Sequence, residues 1–275
     1  MDPVKSTDTE FGKVSYLDFG TGEAVLLAHG ILGGYGQAFV SLTQILGDEC
    51  RKLAPSRFGY PSSSLPSTPT PGNQAKAYVA LLDKVGIQQT FVIASSAGGA
   101  AGIKLALNYP ERIKGLILLS SGVPTAKRSR EEISQIQGAP ALLINDFPMW
   151  FTVKYLKFAL NSMFGSTVAK DLYETMLPVR PRKPGIEADI TITNLDMDIN
   201  YDNYPVEKIT VPILIVHAKD DAMAKFQGVE KFIARVHPQT SLFATGGHLI
   251  TGHGDEVSKS IKRFMEATAA AEERD

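Results

Sequence analysis

A serine hydroxyl is a weak nucleophile until a neighbouring base takes its proton. The stretch Thr90-Phe91-Val92-Ile93-Ala94-Ser95-Ser96-Ala97-Gly98-Gly99 sets such a serine at the end of an apolar run. The run reads as a buried strand passing at once into a helix, Ala97 to Tyr109. A strand-to-helix turn that tight, a nucleophile elbow, needs small residues two before and two after its serine, or their side chains strike the adjoining strand and helix. Around Ser96 these are Ala94 and Gly98; around Ser95 they would be Ile93 and Ala97, and the isoleucine is too large. Ser96 is therefore the candidate nucleophile, with Ser95 beside it as a candidate substrate contact.

Its partners follow further apolar runs. Val211-Pro212-Ile213-Leu214-Ile215-Val216-His217-Ala218-Lys219-Asp220-Asp221 ends in two carboxylates, and Thr240-Ser241-Leu242-Phe243-Ala244-Thr245-Gly246-Gly247-His248 ends in a histidine. Val25-Leu26-Leu27-Ala28-His29-Gly30-Ile31 ends in His-Gly. Each chemical group thus sits just past a predicted strand, where open parallel sheets place their sites. Asp221 is preferred over its neighbour Asp220 as the acid, although adjacency leaves both open. Of five histidines, His237, His248 and His253 follow the acid. His237 reads as a surface turn residue before the last strand, and His253 starts the final helical region. His217 reads as packed at a strand end. His248 is the candidate base.

The elements that must position these groups alternate. Val14 to Phe19 and Val25 to His29 read as strands, Tyr35 to Leu46 as a helix, and Arg51 to Pro55 as a strand. Pro71 to Val85 is a helix with proline at its start and Gly86 after its end. Ile113 to Ser120 reads as a strand, and its run Gly115-Leu116-Ile117-Leu118-Leu119 is apolar without alternation, as expected of a strand covered on both faces. After Ile209 come a strand, a helix (Lys225 to Val236), a strand and a helix (Glu256 to Ala267), with a loose tail from Thr268 to Asp275. This order predicts an α/β fold, a mostly parallel sheet with helices on both faces.

Between residues 124 and 208 the pattern changes. Lys127-Arg128-Ser129-Arg130-Glu131-Glu132 is charged, and an aromatic stretch runs from Phe147-Pro148-Met149-Trp150-Phe151 through Tyr155, Phe158 and Phe164. Pro178-Val179-Arg180-Pro181-Arg182-Lys183-Pro184-Gly185 breaks it. The expected organisation is a core of residues 1–123 and 209–275 with a helical lid, 124–208, inserted between two core strands. Met149, Trp150, Phe151 and Phe158 would line the pocket or the underside of that lid. Met149 and Trp150, with Met223, are the candidate substrate contacts outside the core strands.

Composition sets limits. The chain has 275 residues, 44% of them apolar, and a net charge of −1 without long charged runs, which argues against nucleic acid or an anionic membrane as partner. One cysteine, Cys50, excludes an internal disulfide or a cysteine-rich metal site and reads as a small buried side chain. Met1 to Glu10 lacks the pattern of a signal peptide, and no window reaches the roughly 20 apolar residues of a membrane span, so a cytoplasmic protein is expected. No metal or cofactor is called for: ligand spacing is absent, and Gly30-Ile31-Leu32-Gly33-Gly34 departs from a dinucleotide loop. Oligomeric state is not readable.

These residues resemble the α/β-hydrolase superfamily, and the resemblance covers nearly the whole chain outside the inserted segment. His29-Gly30-Ile31-Leu32-Gly33-Gly34 is similar to its oxyanion loop, Ala94 to Gly99 to its elbow, and Ala218-Lys219-Asp220-Asp221 to its Gly-x-x-Asp turn. Ala94 and Ala218 stand where many members have glycine, and Ala54 to Ser62 resembles the Asp-x-x-Gly-x-Gly-x-Ser loop without its aspartate. A known variant places the acid after the strand ending near Ser120, but Ser121-Gly122-Val123 has no carboxylate.

The resemblance implies a Ser96–His248–Asp221 triad with an oxyanion hole from the backbone N–H groups of Ile31 and Ala97, and His29 shaping that loop or meeting substrate. A serine at the elbow separates the chain from the family's aspartate-bearing dehalogenases and epoxide hydrolases. The expected activity is hydrolysis of a small or medium, fairly apolar carboxylic ester or lactone through an acyl-enzyme. Carbon–carbon hydrolysis, hydroxynitrile lyase chemistry and a non-enzymatic small-ligand receptor of the same fold stay open.

Overall fold

The computed structural model describes residues 3–129, 131–132, 144–155 and 175–272. Phe158, Phe164 and Arg130 lie outside the described residues. Within them, eight strands form one sheet in the order β1-β2-β4-β3-β5-β6-β7-β8. The strands are β1 (Lys5–Thr9), β2 (Gly12–Phe19), β3 (Ala24–Ala28), β4 (Arg51–Pro55), β5 (Thr90–Ser95), β6 (Ile113–Leu119), β7 (Ile213–Ala218) and β8 (Gln239–Phe243). The β1–β2 and β2–β4 pairs are antiparallel, and all the others are parallel.

Strand periodicity explains how one sheet serves two cores. Leu26, Val92, Leu116 and Ile215 face one side, where α2 (Pro71–Lys84), α3 (Gly99–Asn108) and α7 (Phe226–Val236) contribute Tyr78, Ile103 and Phe232. Val25, Ile93, Ile117 and Val216 face the other, against Leu42 of α1 (Tyr35–Leu46) and Ile261 of α8 (Gly254–Glu272). Strands covered on both faces lose the polar alternation of an exposed sheet, which is why these runs are uniformly apolar.

Three sequence expectations change. β1, polar throughout, is a strand that the apolar runs do not predict; it is an edge strand with Thr7 alone buried. The helix after the elbow begins with a 3-10 turn, Ser96–Gly98, before α3. α8 runs on to Glu272, so the expected loose tail is helical to that point, with Thr268 buried.

The described part of the inserted segment contains the helices α4 (Asp146–Tyr155), α5 (Lys183–Ala188) and α6 (Asn194–Ile199), with a π turn (Asp189–Thr193) between the last two. Met149, Met176, Val179 and Ile186 pack with Leu32 and Tyr60 of the core in one apolar cluster. Among the described residues, no helix is long and apolar enough to cross a membrane.

Candidate active site

Register brings the candidate groups together. Ala28 pairs with Ala94, and Ser95 with Leu119, so the carboxyl ends of β3, β5 and β6 lie side by side. β7 and β8 pair up to Ala218 and Phe243, the last residue of each strand. Ser96 follows β5 with φ 50°, a left-handed conformation that costs an L-residue about 1–2 kcal/mol and lifts its side chain out of the turn.

Small neighbours are required on every side. A Cβ on Gly98 would sit 2.2 Å from the Ala28 carbonyl oxygen, and one on Gly30 would sit 2.9 Å from Ser96 Cβ. The elbow and the His-Gly loop therefore touch through glycine.

Ser96 Oγ lies 2.8 Å from His248 Nε2, and His248 Nδ1 lies 2.8 Å from Asp221 Oδ2. A carboxylate only accepts, so Nδ1 carries the proton and donates it to Asp221. Nε2 is then the acceptor for the Ser96 hydroxyl. Asp221 is 3% exposed, and its Oδ1 also accepts from the N–H groups of Met223 at 2.8 Å and Ala224 at 2.9 Å. Burial pushes its pKa up, but His248 and these two donors outweigh burial and hold it below the usual carboxylate value.

The neighbouring Asp220 does a different job. It is exposed, and its carboxylate accepts from Gly246 N at 3.2 Å and Gly247 N at 2.8 Å. It thereby holds the loop that carries His248. Thr251 N, donating to Gly246 O at 2.8 Å, closes that loop.

The other histidines are placed elsewhere. His237 is exposed at the end of α7, and His253 stacks by Phe243 with centroids 4.7 Å apart. His217 is buried, its Nε2 donating to Ala224 O at 2.7 Å; burial lowers its pKa.

His29, named above as a possible substrate contact, is fully buried with both ring nitrogens engaged by the main chain. Arg57 N donates to Nε2 at 2.9 Å, so Nδ1 bears the proton and donates to Gly30 O at 2.8 Å. Burial, with the charge of Arg57, holds its pKa well below the ordinary histidine value. His29 therefore shapes the loop and does not meet substrate.

Gly30 O also accepts from Gly33 N at 3.3 Å. In the trans Gly30–Ile31 peptide the Ile31 N–H points away from that carbonyl. Ile31, Ser95 and Ala97 are half-buried beside Ser96.

Trp150 is also corrected. Helical spacing puts Met149 and Thr152 on the inner face of α4. Phe147, Trp150, Phe151 and Tyr155 then fall on the outer face, 71%, 40%, 41% and 56% exposed. Their rings contact one another, so among the described residues Trp150 and Phe151 lie on the exposed face of α4, away from the cluster that holds Met149. Met149 is fully buried in the cluster with Leu32, and Met223 is exposed beside Asp221.

Sequence reasoning missed the charged residues that join the inserted segment to this site. Arg57 pairs with Asp189 through Nη1–Oδ1 at 2.7 Å and Nη2–Oδ2 at 2.5 Å, and Tyr60 Oη donates to Asp189 at 2.5 Å. Arg182 reaches the loop after β3. The only signal was the arginines of two Pro- and Gly-rich stretches, Arg57 in 54–62 and Arg180 and Arg182 in 178–185.

A family model described as alpha/beta hydrolase fold matches residues 23–252. An uncharacterized hydrolase of Bacillus subtilis is 33% identical over 120 residues, 43% of this chain and 41% of that protein. A 2-hydroxy-6-oxo-6-phenylhexa-2,4-dienoate hydrolase of Burkholderia cepacia is 29% identical over 110 residues, 38% of each chain. The matched stretches thus span less than half the length of both relatives. Among solved structures, an alpha/beta hydrolase fold protein from Nakamurella multipartita superposes with a TM-score of 0.74 at 21% identity, covering 95% of this chain and 98% of that one.

Proposed function

The chain belongs to the alpha/beta hydrolase fold family, and from that premise we propose that it is a serine hydrolase acting on a small or medium, fairly apolar carboxylic ester or lactone. The observation that carries this reading is the Ser96–His248–Asp221 relay, with both links at 2.8 Å.

Ser96 Oγ attacks the ester carbonyl carbon while His248 Nε2 takes the hydroxyl proton, and the buried Asp221 stabilises the imidazolium. The carbonyl oxygen becomes an oxyanion and accepts from the Ile31 and Ala97 N–H groups. Collapse expels the alcohol, which takes the proton from His248 and leaves an acyl-Ser96. Water, deprotonated by His248, attacks that ester, and the acid leaves as Ser96 Oγ takes the proton back from His248. The half-buried Ile31 on the oxyanion loop and the exposed Met223 beside Asp221 favour an apolar acyl or alkoxy group.

Hydrolysis of p-nitrophenyl acetate, butyrate and octanoate by the wild type and Ser96→Ala tests the reading. The wild type turns over, and Ser96→Ala retains its fold and loses about a thousandfold or more in kcat. Equal rates in the two proteins, or none in either, would remove it.

A second reading draws on the Burkholderia relative, whose name specifies a dienoate substrate. On the same relay the chain would hydrolyse a carbon–carbon bond of a vinylogous diketone. Loss of absorbance of 2-hydroxy-6-oxo-6-phenylhexa-2,4-dienoate, without turnover of the esters, would favour it.

A further inference from the structure

One side chain of the inserted segment grips the loop that carries the Ile31 N–H. Arg182 is 7% exposed. Its Nε–H lies 3.0 Å from Leu32 O and 2.9 Å from Gly33 O, while Nη1 donates to Pro178 O and Nη2 to Thr175 O, each at 2.5 Å. All four acceptors are main-chain carbonyls, two on the loop and two on the arginine's own segment. For one N–H to reach two successive carbonyls, both must point the same way, whereas in an extended chain they alternate. The residue between those two peptide planes is Gly33, so its dihedrals align the carbonyls, and Leu32 at φ 64° turns the chain just before it.

The grip connects to Ile31 through one further peptide. The Leu32–Gly33 peptide gives its carbonyl to Arg182 and its N–H to Gly30 O. Gly30 O is in turn the carbonyl edge of the peptide whose other edge is the Ile31 N–H.

We propose that Arg182 is a positioning residue for the oxyanion hole: by fixing the Leu32–Gly33 peptide it fixes the direction of the Ile31 N–H. The role given to that N–H rests on the hydrolase reading above. An arginine suits the task because its fork of fixed donors spans carbonyls on two segments at once, which a lysine's point charge does not. An oxyanion hole acts on charge that develops in the transition state, so loosening it lowers kcat and leaves substrate binding largely alone.

Arg182→Met and Arg182→Lys are compared with the wild type and with Lys183→Ala, an exposed neighbour as control. Two readouts are taken: ester kinetics and hydrogen exchange of the 29–35 peptide. Arg182→Met is expected to lose about tenfold to a hundredfold in kcat with KM nearly constant. Arg182→Lys falls between it and the wild type, exchange over 29–35 accelerates in the same order, and Lys183→Ala matches the wild type in both. Unchanged kcat and exchange, or a raised KM with kcat retained, overturns the proposal. If Arg182→Met does not fold, the lysine variant decides on the same criteria. If the wild type hydrolyses no ester, the hydrolase reading fails separately and the exchange alone decides: faster exchange over 29–35 upholds the grip, and unchanged exchange overturns it.

Discussion

Asp220 and Asp221 are chemically identical and adjacent, yet the fold gives them opposite surroundings. Asp221 is buried and shares its two oxygens between His248 and two backbone donors, while Asp220 faces solvent and ties Gly246 and Gly247. A one-residue step along a tight turn decides which of them points at the ring, and residue types carry no record of that step. The difference is measurable. Asp221→Asn no longer holds the Nδ1–H tautomer as an acid does, and its kcat is expected to fall by about ten-thousandfold with the fold intact. Asp220→Ala leaves the relay in place and frees the histidine loop, so the expected loss in kcat is less than about a hundredfold, with a Tm a few degrees lower. Steady-state kinetics and a thermal melt of both variants separate the roles; equal kcat losses would reject the assignment.

At the scale of elements, legibility followed apolar density. β3, β5, β6 and β7 are covered on both faces, so their sequences announce themselves, and each chemical group follows a strand end. β1 is polar and one-sided, and nothing in Lys-Ser-Thr-Asp-Thr separates it from a loop. In α4 the aromatic residues were visible but their direction was not, because helical phase depends on what the helix packs against. The Arg57–Asp189 pair spans 132 positions, a separation that no local pattern encodes. What was legible at the elbow was its need for small residues, and α3 extends that need to Gly102. A Cβ there would sit 2.5 Å from Ala94 Cβ, closer than two carbons approach without a backbone shift. Replacing a helical glycine by alanine ordinarily stabilises by about 1 kcal/mol, whereas overpacking a core costs about 1–3 kcal/mol. Overpacking is expected to win: Gly102→Ala destabilises by about 1–2 kcal/mol in urea and lowers kcat, because displaced Ala94 lies two residues before Ser96. A stabilised variant would show that helix and strand have room to separate.

Across the whole molecule, the interior holds polar groups in two ways. Arg57 and Asp189 are sealed as a charged pair, closed by Tyr60, whose ring also lies 4.9 Å from the Arg57 guanidinium. Replacing Asp189 with asparagine would leave the guanidinium without its charge partner. His29 and His217 are instead buried neutral, each with its pKa lowered, chiefly by burial. In the unfolded chain both titrate near about 6.5. Below that pH the unfolded state binds more protons than the folded one, so stability falls as pH falls, and the contribution is fully present only above the unfolded value. Asp221, whose pKa is lowered, contributes in the same direction but only below its unfolded value of about 3.9, outside this window. From about pH 6 down to 5, His29, held well below the ordinary histidine value, adds a slope of up to about 1.4 kcal/mol per pH unit, and His217 adds in the same direction. His29→Asn keeps a neutral side chain at that site and is expected to remove the larger part of that slope, leaving the part due to His217. The check is the unfolding free energy from urea titrations of both proteins between pH 7.5 and 5 at fixed ionic strength. Parallel lines for wild type and variant would mean that His29 takes up its proton in the folded state, and that the Arg57 N–H does not hold it neutral.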